Sequence, residues 1–204
     1  MKVNLGSGRL GKDSLWSGED WLNIDDAAFE EDKGDWSFAK YLDWNMEKTP
    51  WPIETGSVEC IWASHVLEHF VHKHIQLVLQ ECYRIMKDGA PMRIVCPDPR
   101  KFVANWQMKN MQFILDCYGQ QNWDRWGYGN GYAHIGFTDM FFGDHYSHAA
   151  CVSIDYIQIV LIRIGFRKVN EMAYANTEFP QFFGSYDYTM YNRPYMSWFL
   201  EAVR

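Results

Sequence analysis

Basic charge is what this sequence most lacks. Its 19 Lys and Arg stand against 26 Asp and Glu over 204 residues, for a formal net charge of −7. No cluster of Lys and Arg stands out, which argues against general nucleic-acid binding and against docking on an acidic membrane surface. Cysteine is scarce and unpaired. Cys60, Cys82, Cys96, Cys117 and Cys151 are odd in number, widely spaced and form no CxxC. A disulfide framework or zinc knuckle needs the opposite pattern, so reduced, mostly buried thiols in a cytoplasmic protein are expected. Apolar runs long enough to span a bilayer are missing. So is a signal-peptide pattern, because Met1-Lys2-Val3-Asn4-Leu5 runs straight into a glycine turn. With no internal repeat and no low-complexity linker, residues 1–204 read as a single domain.

Aromatic residues, by contrast, are plentiful: 10 Trp, 12 Tyr and 13 Phe, many of them in the second half. They either fill the core or line a concave surface there.

Strand and helix patterns alternate along the chain. Lys2–Leu5 and Trp21–Ile24 read as the first two strands, the second ending on Asp25 and Asp26. Pro50 and Pro52 break any helix in the mixed stretch that follows. Val58–Ala63 reads as a strand, and a helix is expected from about Val66 or His72 to Met86. Lys87-Asp88-Gly89 ends that helix, and Met92–Cys96 reads as a buried strand stopped by Pro97. Ile154, Ile157, Leu161 and Ile164 mark one face of a late helix closed by Gly165. Phe166–Tyr174 and Met196–Val203 follow without a helical pattern between them, which predicts an antiparallel pair at one edge of a parallel α/β sheet.

Three groups of residues suggest chemistry. The first is the glycine turn Gly6-Ser7-Gly8, where the missing Cβ atoms let backbone amides approach a ligand. Asp25 follows Gly8 by 17 residues, near the spacing at which an acid after the next strand holds a ribose. With Gly11 the turn also matches GxGxxG, so a nicotinamide oxidoreductase is a rival. Lys12–Gly18 makes a poor helix for the pyrophosphate that such a site needs, which weighs against it.

The second group is His65-Val66-Leu67-Glu68-His69, an HxxEH pattern. Histidines at i and i+4 on a helix can share a face and bind zinc, with Glu68 as general base and Glu81 as a further ligand. The competing reading is that these polar residues satisfy the start of a helix. The strand before them favours the latter, so no metal is assigned. The third group is Asp144-His145-Tyr146-Ser147-His148, with His134 upstream and Asp98 directly after the fifth strand. Histidine titrates near neutral pH and suits a general base, so His145 is the first candidate, with Asp98 and His148 after it. Asp98 can equally cap the helix that follows.

In this order the motifs resemble the class I S-adenosylmethionine-dependent methyltransferase superfamily, and within it the small type 11-like methyltransferases. Val3–Gly8 resembles the family's first motif, and Trp21–Asp25 its second. Leu42-Asp43-Trp44 is similar to the adenine-contacting segment, and Ser57–His69 to the fourth strand with its SHxLEH. Glu81–Gly89, Gly165-Phe166 and Ser197–Ala202 resemble the later helix and strands. Glu59 departs from the family's aspartate, and Ala90 from its second glycine.

The resemblance implies a Rossmann-like, doubly wound, mostly parallel seven-stranded sheet with one antiparallel edge strand, Met196–Val203. Residues 99–150 would form a cap over the active site. S-adenosylmethionine would be held by Leu5, Gly6, Ser7, Gly8, Asp25, Asp43, Trp44, Ser64 and His65. The implied reaction is methyl transfer to a small-molecule acceptor, with a sugar or glycan precursor favoured. A non-catalytic S-adenosylmethionine-binding domain is the alternative.

Overall fold

A computed structural model describes residues 1–8, 20–26, 40–118, 148–184 and 194–204. Seven strands form one sheet: β1 Lys2–Leu5, β2 Trp21–Asp25, β3 Lys40–Asp43, β4 Cys60–Ser64, β5 Pro91–Pro97, β6 Arg167–Met172 and β7 Ser197–Val203. Their spatial order is β3-β2-β1-β4-β5-β7-β6. The first five are mutually parallel, whereas β7 runs antiparallel to both β5 and β6. The expected antiparallel strand therefore sits one place in from the edge, and β6 is the edge strand.

Burial explains which sequences became central strands. Every residue of β5 and β7 is buried, including Pro91 and Pro97 at the ends of β5. Parallel strands covered on both faces read as continuous apolar runs. Arg93 and Glu201 interrupt those runs, but they face each other in register and form a 2.7 Å ion pair at 0% and 1% exposure. Arg93 also donates to the Asn176 and Ala173 carbonyls, and Glu201 accepts from Thr177 Oγ1 and the Glu178 amide.

Helix α1, His72–Ile85, buries Ile75, Val78, Leu79, Cys82 and Ile85 at helical spacing against the sheet. It begins later than the earliest start the pattern allowed. Leu67–His69 is a separate 3-10 turn, and Phe70 and Val71 are extended. Beyond β5 come α2 (Pro99–Gln107) and α3 (Met111–Tyr118), which open the expected cap segment. Helix α4, Ile154–Ile164, starts on Ser153, whose hydroxyl accepts from the Tyr156 amide. It ends at Gly165 with φ 120°, a conformation that favours glycine. A short helix, α5 (Pro180–Phe183), precedes β7. Among the described residues, no helix is long and apolar enough to cross a membrane.

Candidate functional site

The loops that leave β1, β2 and β4 at their carboxyl ends converge on one cavity of about 450 Å³. That is the usual place for a ligand in an open α/β sheet, and an ordinary size for a small-molecule pocket. Gly6, Gly8, Asp25, Asp26, Asn45, Met46, Glu47, His65, Val66, His69 and Phe70 line it.

Two glycines make the floor possible. Gly6 has φ +61°, and a Cβ there would lie 2.5 Å from Val66 Cγ2. The β1 turn is thus pressed against the chain leaving β4. Gly8 has φ +54° and nothing within 4 Å of the place a Cβ would take. Its amide donates to Asp25 Oδ2 at 2.6 Å, and the Asp26 amide donates to Oδ1 at 2.8 Å. A carboxylate has about four acceptor sites, so Asp25 keeps acceptors for a ligand. Burial pushes its pKa above the ordinary 3.8, against the lowering effect of those two amides. Between the glycines, the Ser7 hydroxyl is buried without a hydrogen-bond partner. Ser7 itself is not among the lining residues; the two glycines that flank it, beside a carboxylate with spare acceptors, fit a polar ligand carrying a ribose and an amino-acid tail.

β4 ends at Ser64, and His65 then turns the chain in a left-handed conformation (φ 53°) that is uncommon outside glycine. The His65 amide donates to the Val95 carbonyl, and its ring Nε2 lies 3.0 Å from Ser197 Oγ on β7. This geometry overturns the zinc pattern as first read. His65 stands in a left-handed turn and His69 in a 3-10 turn, so the two do not share one helical face. Glu81 is also occupied, bonding Arg84 and the Trp51 amide.

The remaining expected site residues divide. Gly6, Gly8, Asp25 and His65 come together at the cavity. Leu5 is core. Asp43 ends β3 beside Asp25, and the Trp44 indole donates to the Lys48 carbonyl. Neither Asp43 nor Trp44 lines the cavity, where Asn45, Met46 and Glu47 stand instead. Ser64 closes β4 outside the lining. Asp98 caps α2, accepting from the Arg100 amide, and pairs with the Arg100 guanidinium at 2.9 Å. His148 lies beside His69, with ring centroids 5.2 Å apart. His145 and His134 fall outside the described residues, as do Gly11 and the aromatics between Trp123 and Phe137.

One topological observation separates the two cofactor readings. The dinucleotide-binding sheet runs 3-2-1-4-5-6 and is parallel throughout. Here a reversed β7 is wedged between β5 and β6. Residues 22–94 match a family model described as a methyltransferase domain. That match spans about a third of the chain, and the sheet around it has the class I methyltransferase fold.

Solved structures agree on the fold of the whole chain. An S-adenosylmethionine-dependent methyltransferase from Archaeoglobus fulgidus superposes with a TM-score of 0.59 at 12% identity, covering 99% of this chain and 85% of that one. One from Thermotoga maritima gives 0.54 at 11% identity, covering 99% and 81%. At such identities the likeness is one of fold. The comparison with curated proteins finds no match. Both of those solved proteins are described as S-adenosylmethionine-dependent.

Proposed function

We propose that this methyltransferase domain catalyses methyl transfer from S-adenosylmethionine to a small-molecule acceptor, with a sugar or glycan precursor as the class to test first. The carrying observation is the cavity floor: Gly6 and Gly8 set beside Asp25, whose carboxylate retains free acceptors.

When bound, S-adenosylmethionine supplies an electrophilic methyl group, and the chain supplies position. Gly6 and Gly8 let backbone close on the amino-acid tail. Asp25 accepts from the two ribose hydroxyls. Asn45, Met46 and Glu47 hold the base end, the part assigned from sequence to Asp43 and Trp44. His65, fixed by Ser197, bounds the reacting end. The expected cap, residues 99–150, would cover the acceptor and exclude water; its residues 119–147 lie outside the described ones.

Where the acceptor must lose a proton, His145 is the proposed base. Asp98 serves the α2 cap and Arg100, and His148 packs with His69. The acidic chain and its aromatic-rich cap segment support an uncharged or cationic small acceptor over a nucleic acid.

The test is calorimetric titration with S-adenosylhomocysteine, with NAD as comparison and Asp25→Ala as the variant. Hydrogen bonds to a charged group are worth about 1.5–3 kcal/mol. The variant should therefore bind about ten- to a hundredfold more weakly. Binding of NAD in place of the homocysteine compound, or indifference to Asp25→Ala, would overturn the reading. Consumption of S-adenosylmethionine only when a sugar acceptor is present separates the enzyme from a non-catalytic binding domain.

A further inference from the structure

Glu68 is anomalous. It is 2% exposed, and neither carboxylate oxygen has a hydrogen-bond partner. Oε1 lies 3.3 Å from His65 Nδ1, within ion-pair distance but without the directional geometry of a hydrogen bond. The Cys96 thiol is the other group against this carboxylate, and burial beside so weak a donor leaves it poorly satisfied. A bound cation is one way to satisfy such a carboxylate.

The surrounding groups are of the right kind. Ligand atoms of Glu68, His69 and His148 all lie within 4.8 Å of one another. The chain itself builds the cluster: the Ala149 and Ala150 amides both donate to the Glu68 backbone carbonyl, which brings His148 up to the Leu67–His69 turn. Glu68 and His148 border a pocket of about 10 Å³ shared with Pro97, Pro99 and Val152, on the scale of one water-sized sphere. His69 lines the cofactor cavity, so the cluster stands in the wall between the two spaces.

From this geometry we propose that Glu68, His69 and His148 bind one divalent first-row transition cation, zinc or manganese in class, through one carboxylate oxygen and two imidazole nitrogens. Metal–ligand bonds of about 2.1 Å place donors about 3.4–4.2 Å apart, so side-chain shifts of under about an ångström close the set. Two nitrogens and one oxygen favour such an ion over calcium or magnesium. Three protein ligands leave coordination positions open, the pattern of a catalytic rather than a structural site. His65, tied to Ser197 and in contact with Glu68, orients the carboxylate as a positioning residue. This site differs from the HxxEH reading in its ligands, because His148 arrives from more than 70 residues away and His65 does not ligate. The proposal does not depend on the methyltransferase reading.

The test uses the full chain, stripped with a chelator and titrated with Zn²⁺ by calorimetry and with Co²⁺ by visible spectroscopy. One ion per chain is expected, with a ligand-field band for Co²⁺. Glu68→Gln and His148→Ala should each weaken Zn²⁺ binding by at least about tenfold. His72→Ala, a histidine outside the cluster that stacks on Tyr156, should change nothing. If Glu68→Gln fails to fold, the half-exposed His148→Ala decides alone. Its melting temperature should no longer rise with Zn²⁺ as the parent chain's does. No stoichiometric binding, binding that survives His148→Ala, or equal loss in His72→Ala would overturn the proposal. Titration of the same proteins with S-adenosylhomocysteine reads the cofactor site separately, so failure of one claim is not failure of the other.

Discussion

Gly6 and Gly8 look interchangeable in the sequence, yet the structure makes them differ. Both hold a positive φ, which costs an L-residue about 1–2 kcal/mol. Only at Gly6 does an added methyl strike a neighbour, the Val66 side chain. Overpacking adds about 1–3 kcal/mol. Gly6→Ala should therefore lower the melting temperature well beyond Gly8→Ala, which should lose only a few degrees in a chain of this size. Calorimetric melts of the two variants measure the difference, and equal losses would contradict the Gly6–Val66 contact. The glycines and Asp25 were legible in the sequence because the chemistry of a tight turn before an acid needs those residue types. Asn45, Met46 and Glu47 were not. They reach the cavity because β3 ends level with β2 and the chain then turns back over it, and no residue type announces that.

At the scale of elements, the β5–β7 pairing turns on Arg93 and Glu201. Both lie mid-strand in apolar runs, a visible oddity whose meaning needed the register. Arg93→Met would leave Glu201 buried without its cation and should cost about 3–5 kcal/mol in urea denaturation. The double change Arg93→Met with Glu201→Leu should recover only part of that loss. The Ala173 and Asn176 carbonyls lose Arg93 in both proteins, and the Glu178 amide loses Glu201 in the double variant. Full recovery would mean that those backbone groups find other partners. Helices α1 and α4 were readable from periodicity, and α4 also from its Ser153 and Gly165 ends. The break between the Leu67–His69 turn and α1 was not readable. Its residues suit a continuous helix, and it is the left-handed turn at His65 that redirects the chain.

For the molecule as a whole, the cysteines report how completely the core is closed. Cys60, Cys82, Cys96 and Cys117 are buried, and Cys151 alone is exposed. Burial raises the Cys60 thiol to about 12 and pushes Cys82 and Cys96 well above the ordinary thiol value. A thiol reagent at neutral pH should modify one cysteine in the native chain, Cys151, and five in denaturant. Mass spectrometry of the labelled protein counts them. Rapid native labelling of a second site would show that the sheet opens locally far more readily than its burial implies.

Local rules suffice for much of this protein. Alternating strand and helix periods determine an α/β sheet, with the glycine turn and the acid after β2 at its carboxyl edge, because each depends mainly on nearby chain. The tertiary structure alone decided that the expected antiparallel strand β7 lies between β5 and β6 rather than at the edge, and that Arg93 meets Glu201. It also decided that Glu68 and His69 gather with His148 while His65 turns to Ser197. Those outcomes join positions some 80 to 130 residues apart. They follow from sheet register and from which backbone groups find partners, neither of which is a property of any short stretch of chain.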